Sequence, residues 1–98
     1  MKTIFLQFWE ESERGWGVRP DGASLHIDIE SHKNYIKEIY SSRDESHIPY
    51  EYERIVGNPI EVKVVESLYD IVSASKTMRL PQYQLNNLIK LKDIIVNE

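Results

Sequence analysis

Along residues 2–9 apolar and polar positions alternate with a strand's period of two. Ile4, Leu6 and Phe8 fall on one face and Phe5 and Trp9 on the other. Two apolar faces place this strand at the centre of a sheet, covered on both sides or packed against a partner subunit. Residues 23–29 alternate more cleanly, with Leu25, Ile27 and Ile29 inward and His26 and Asp28 outward. Between the two runs, Arg19-Pro20-Asp21-Gly22 has the proline and glycine of a type I turn. The connection therefore reads as a loop of about a dozen residues, long for a hairpin.

Ser31 reads as the N-cap of a first helix running to Tyr40, with Tyr35, Ile36, Ile39 and Tyr40 on its apolar stripe. A long irregular stretch then extends to Gly57-Asn58-Pro59. A strand follows at 60–65, with Ile60, Val62 and Val64 opposite Glu61 and Lys63. It leads directly into a short helix bearing Leu68, Ile71 and Val72, which ends over Ser73–Lys76. Met78-Arg79-Leu80 reads as extended. Pro81 opens a last helix whose apolar side aligns Leu85, Leu88, Ile89 and Ile95, widened by Leu91 and Ile94. This order predicts one α+β domain over residues 1–98: a small, mainly antiparallel sheet with three helices packed on it, on one face.

Composition narrows the chemistry. At 98 residues, one core is expected and no second. The absence of cysteine excludes disulfide scaffolds, thiolate metal sites and cysteine nucleophiles, and a disulfide-free small domain points to the cytoplasm. The N-terminal apolar run is broken by Gln7 and followed by acids, so it reads as a strand rather than a signal peptide. No stretch is long enough to span a bilayer, so no membrane association is expected. The net charge of −4 is concentrated in residues 1–58, which hold eleven acids and seven bases. That balance argues against general nucleic-acid binding, whose usual footprint is a basic stripe.

Three constellations could carry function. His26, Asp28 and His32 offer imidazole and carboxylate for a metal or for acid–base work, but their spacing matches no metal motif; neither a metal nor a cofactor is expected. Ser24, two residues before His26, lacks the glycine that a nucleophile elbow places after its serine, so no catalytic residue is assigned. The third is a set of arginines and aromatics. Arg14, Arg19, Arg43, Arg54 and Arg79 all fall outside the regular elements read above, although Arg79 lies in the extended 78–80 segment. Trp16 sits between Gly15 and Gly17, and Tyr50, Tyr52 and Arg54 alternate in the second long loop. Guanidinium groups pair with phosphate or carboxylate and stack on aromatic faces. The same residue types also make protein–protein hot spots, and the plainer alternative is a surface of ion pairs with tyrosines covering a thin core.

The block GWGVRPDGASLH from Gly15 to His26 resembles short accessory proteins of bacteriophages and prophages. So do Tyr52-Glu53-Arg54, Gly57-Asn58-Pro59 and the run IEVKVVESLY. The likeness covers the first three-quarters of the chain, and the C-terminal helix carries none of it. It implies action in the host cytoplasm against host defence, by binding a CRISPR effector or by sequestering a nucleotide signal. The residues and the resemblance together lead first to capture of a small anionic, nucleotide-like ligand in a homo-oligomer pocket. Arg14, Trp16, Arg19 and His26 would form one wall, and Tyr50, Tyr52 and Arg54 another. A protein-directed inhibitor of a host defence effector is the second reading. The third is a small enzyme acting on the signal, with His26 as general acid or base.

Overall fold

In the computed structural model, residues 1–13, 17–41 and 53–96 are described. The first strand, β1 (Lys2–Glu13), runs down the middle of a five-stranded sheet. Beside it lie β2 (Gly17–His26) and β3 (Glu53–Val64), and outside these β4 (Thr77–Leu80) and β5 (Ile94–Val96). The strand order is β4-β2-β1-β3-β5 and every pairing is antiparallel. The helices are α1 (Ile29–Ser41), α2 (Glu66–Ser75) and α3 (Gln82–Lys90). This is the α+β class that the pattern predicts.

The alternation along β1 decides which layer lies on which face. Ile4 and Leu6, with Ala23 and Leu25 of β2 and Val62 and Val64 of β3, pack against Leu68 and Val72 of α2 and Leu85 of α3. The other face carries Gln7 and Trp9, and α1 covers it with His32, Tyr35 and Tyr40. The helices are therefore split between the faces rather than gathered on one, which makes β1 the doubly covered central strand that its two apolar faces call for.

Several elements differ from the sequence reading. Strands β1, β2 and β3 are longer than expected, because the apparent turn and loop signals lie inside strands as bulges. Asp21 and Gly22 both stand opposite Trp9, and Gly57, Asn58 and Pro59 stand opposite Gln7. Gly22 and Gly57 take the positive φ these bulges require (77° and 67°). Pro20 and Pro59 sit where β2 and β3 have no outer neighbour, since β4 pairs only with residues 23–26 and β5 only with 62–64. A proline is tolerated on such an edge and blunts it against strand addition. The last helix also stops early: Lys92 turns to φ 62° and Ile94–Val96 becomes a strand. Short apolar runs do not separate helix from strand by period alone. Finally, Asp28 rather than Ser31 caps α1, its carboxylate accepting the Ser31 N–H at 2.7 Å. Ile29, expected inward on a strand, is an exposed first residue of that helix.

Because β4 and β5 cover only the base of the sheet, β1, β2 and β3 continue past the two bulges as a projecting three-stranded arm. Gly22 is its tightest joint. A Cβ there would penetrate the Leu80 carbonyl oxygen, whereas a Cβ at Gly57 meets nothing. Gly22→Ala is expected to destabilise the fold by at least about 3 kcal/mol and Gly57→Ala by only about 1 kcal/mol, since the second change adds φ strain alone. Urea denaturation of the two variants checks the difference, and equal losses would contradict this account of the joint.

Candidate functional site

Gln7 is fully buried on the central strand, so its carboxamide must be satisfied internally. Its nitrogen faces the carbonyls of Phe8, Val56 and Gly57, each at 3.1 Å. Carbonyls only accept, so the amide oxygen is left for His32 Nε2, 2.9 Å away. His32 Nε2 must therefore carry the proton and donate it. Nδ1 of the same ring is then a bare lone pair, buried and without a hydrogen-bond partner among the described residues.

A second chain of bonds starts at Trp9. Its indole N–H donates to Ser24 Oγ at 2.8 Å, and Ser24 Oγ lies 2.7 Å from His26 Nε2. His26 Nδ1 lies 2.9 Å from Thr77 Oγ1. Ser24 and His26 are both wholly buried. If His26 Nε2 held the proton, Ser24 would accept twice and its own O–H would be stranded in the interior. The ring is thus the Nδ1–H tautomer, donating to Thr77 and accepting from Ser24. The two imidazoles meet edge to face at 5.0 Å between centroids, with the Tyr35 ring 5.4 Å from His26.

Above this network lies Arg79. Its guanidinium sits 4.5 Å from the Trp9 ring centroid, and its Nη2 donates to the Asp21 carbonyl, the Asp21 carboxylate and Glu53 at 2.8–3.1 Å. One side chain from β4 therefore fastens the β2 bulge and the start of β3 onto the indole of β1. The N–H that the β2 bulge takes out of the ladder at Gly22 donates to Gln82 Oε1 of α3 at 2.8 Å. On the outer edge of β3, the Ile55 N–H donates to the Tyr40 hydroxyl at 3.1 Å.

Among the described residues, no helix covers the arm's other face, on the α2/α3 side. There a trough of about 460 Å³ runs over Phe8 and Glu10, walled by Val18 and Pro20 on one side and Val56 on the other, and closed by Gln82. Val18 and Val56 are 52% and 42% exposed, although both are apolar.

The sequence-derived site residues separate when placed in the fold. Arg19, Arg54 and Arg79 lie on β2, β3 and β4 rather than in loops. Glu10 stands opposite Pro20 and Arg54, and Glu11 opposite Arg19 and Glu53, so Arg54 and Arg19 point from opposite faces of the sheet. Each is already held by a carboxylate, Arg54 by Glu10 at 2.5 Å and Arg19 by Glu11 at 3.2 Å. His26, expected on an outward face, is buried beneath α1. Asp28 turns away to cap α1, and among the described residues no group of three or more His, Cys, Asp or Glu is placed to hold a metal. Arg14, Trp16, Arg43, Tyr50 and Tyr52 lie outside the described residues. Among the described helices, none is long and apolar enough to cross a membrane. Pattern reading missed Gln7, Trp9 and Thr77, named Arg79 among the arginines without placing it in the site, and weighed Ser24 only as a nucleophile; the available signal was Gln7, a lone carboxamide in a run whose neighbours are all apolar. No family model matches the chain, and no curated protein or solved structure matches it.

Burial lowers the His26 pKa from 6.5 to about 4, with His32 adding a smaller push in the same direction. Burial also lowers that of His32, helped by Lys33. Both rings are neutral in the folded chain at neutral pH, whereas in the unfolded chain they protonate near 6.5. Their contribution to stability is therefore complete above pH 6.5 and is lost as pH falls below it, for His26 down to about 4. Asp21 acts in the opposite sense: burial and its hydrogen bond with Glu53 raise its pKa, so its protonation favours the folded state. Between about pH 7.5 and about pH 5, the wild type is expected to lose roughly 2 kcal/mol and His26→Gln much less. Urea titrations at the two pH values check this, and parallel losses would contradict it.

Proposed function

We propose that the chain is a binding protein that takes a protein partner in the trough of its projecting arm. The observation that carries this reading is the apolar wall of Val18, Pro20 and Val56: among the described residues, Val18 and Val56 are the exposed large hydrophobic residues of the strands. Exposed apolar surface gathered in one concavity marks an interaction site more than scattered exposed residues do. The occupant that fits is one bulky apolar side chain presented from a basic protein surface. Arg19, Arg54 and Arg79 are each held by a carboxylate, the trough's own face carries the neutral Glu10–Arg54 pair, and the whole chain carries −4. The same balance disfavours a phosphate, which would have to displace a carboxylate from every one of those arginines. Pro20 and Pro59 disfavour edge-on strand addition, leaving the face of the arm as the docking surface. The resemblance to phage accessory proteins would make the partner a host defence effector.

Capture of a nucleotide-like ligand in a homo-oligomer is the second reading. The trough's volume supports it, since about 460 Å³ lies in the range of small-molecule sites, and Arg19 stands at the wall. Native mass spectrometry separates the two. An assembly carrying a co-purified anion of a few hundred daltons would replace the protein-directed reading. For that reading itself, the double variant Val18→Asp, Val56→Asp is expected to fold with wild-type stability, because both positions are exposed. Against a partner recovered stoichiometrically by the wild type, the same double variant is expected to lose at least about 100-fold in affinity, the loss of two apolar anchors. Retention of wild-type affinity would overturn the placement in the trough.

A further inference from the structure

The two buried histidines hold the two bulges from which the arm springs. His32 reaches the β3 bulge through Gln7, whose amide nitrogen binds the Val56 and Gly57 carbonyls. His26 reaches the β2 bulge through Ser24, the Trp9 indole and Arg79, which holds Asp21. The His26 connection needs a neutral ring because Nε2 accepts from Ser24, whereas the His32 bond to Gln7 survives protonation and is strained by the buried charge that protonation creates. A protonated His26 would present an N–H to Ser24 and leave the serine proton without an acceptor. A protonated His32 would keep its bond to Gln7 but place a second N–H at Nδ1, where no acceptor stands among the described residues. The two cations would then face one another at 5.0 Å.

The surroundings offer them no compensation. From α1 the facing groups are Tyr35 and, beside His32, Lys33. From β4 they are Thr77 and, across Trp9, Arg79 with its carboxylates Asp21 and Glu53 already bound. Among the described residues, every charge that shifts either imidazole is cationic. The opposite side of the sheet behaves differently, because the buried residues of the α2/α3 core are all aliphatic and do not titrate. Past the bulges no described helix covers the α2/α3 face of the arm, so these anchors hold it together with strand pairing and the bonds of Gly22 to Gln82 and of Ile55 to Tyr40.

We propose that the His26–His32 pair is an acid-sensitive latch, whose protonation frees the arm from α1 while the α2/α3 core stays folded. The inference deepens the trough reading and rests on it for its consequence: a partner held by the arm is released as the pH becomes mildly acidic.

Opening of the arm can be followed with no partner present. In a Trp16→Phe background Trp9 is the single tryptophan. Its emission is recorded with far-UV circular dichroism from about pH 7.5 to about pH 4.5, across the range in which histidine charges. The latch predicts a red shift of Trp9 with a midpoint below 6.5 and no accompanying loss of dichroism. The same protein carrying His26→Gln and His32→Gln keeps side-chain hydrogen-bonding groups at both positions and is expected to show no shift. A shift that persists in the glutamine pair, or that appears only together with loss of secondary structure, overturns the latch. Should the glutamine pair not fold, histidine and amide NMR of the wild type decides: arm amides that shift with the two imidazoles support it, and imidazoles that titrate without them overturn it. If Val18→Asp, Val56→Asp shows that the trough is not the docking site, this result still stands or falls by itself.

Discussion

A strand covered on both faces must satisfy every polar atom it carries, and β1 carries two that demand partners, the Gln7 carboxamide and the Trp9 indole N–H. Much of the molecule's shape follows from how they are met. The carboxamide nitrogen takes two of its carbonyls from the β3 bulge, and the indole reaches Ser24 beside the β2 bulge. Straightening either bulge would strand a buried donor, at a cost of about 1–3 kcal/mol each. The bulges in turn end the regular sheet at the height where β4 and β5 stop, so the three central strands leave the core together. One face of the sheet is an ordinary aliphatic core. The other is a polar interior under α1, in which two histidines are fixed in opposite tautomers.

This division assigns different work to the two faces. The aliphatic side supplies most of the hydrophobic stabilisation, at roughly 1.5–3 kcal/mol for each large buried side chain. The polar side supplies position: Arg79 lies across the indole and joins three strands. Charge that looked available for a ligand is spent on this geometry, and that moves the functional reading from an anion pocket toward a surface that meets a protein. The apolar trough is left over because, among the described residues, no helix covers the α2/α3 face past the bulges.

The period-two alternation of β1, the base of β2 and the end of β3 was legible in the sequence, as were α2 and the stripe of α1. The longer strands were hidden by Pro20-Asp21-Gly22 and Gly57-Asn58-Pro59. Such residues mark turns in most contexts, but here they serve bulges at free edges, and only the pairing of β1 with both neighbours shows the difference. Ile94–Val96 continued the helical pattern of α3 because three apolar residues fit either period. His26 was placed outward because a histidine in an alternating strand usually faces water; its burial depends on α1 folding over that face, a tertiary fact with no local signal. The arginines were legible as a group but not as partners, since the carboxylates that hold Arg19, Arg54 and Arg79 sit across strands at positions 10, 11, 21 and 53. The candidate site was therefore visible as residue types and invisible as an arrangement.

The central claim is that the carboxamide of Gln7 and the hydroxyl of Ser24 fix two neutral imidazoles in opposite states. Long-range ¹⁵N–¹H NMR of the histidine rings at neutral pH reads this directly, with assignments from His26→Gln and His32→Gln. The account predicts His26 protonated on Nδ1 and His32 on Nε2. Two rings both protonated on Nε2, or averaging between tautomers as exposed histidines do, would contradict it.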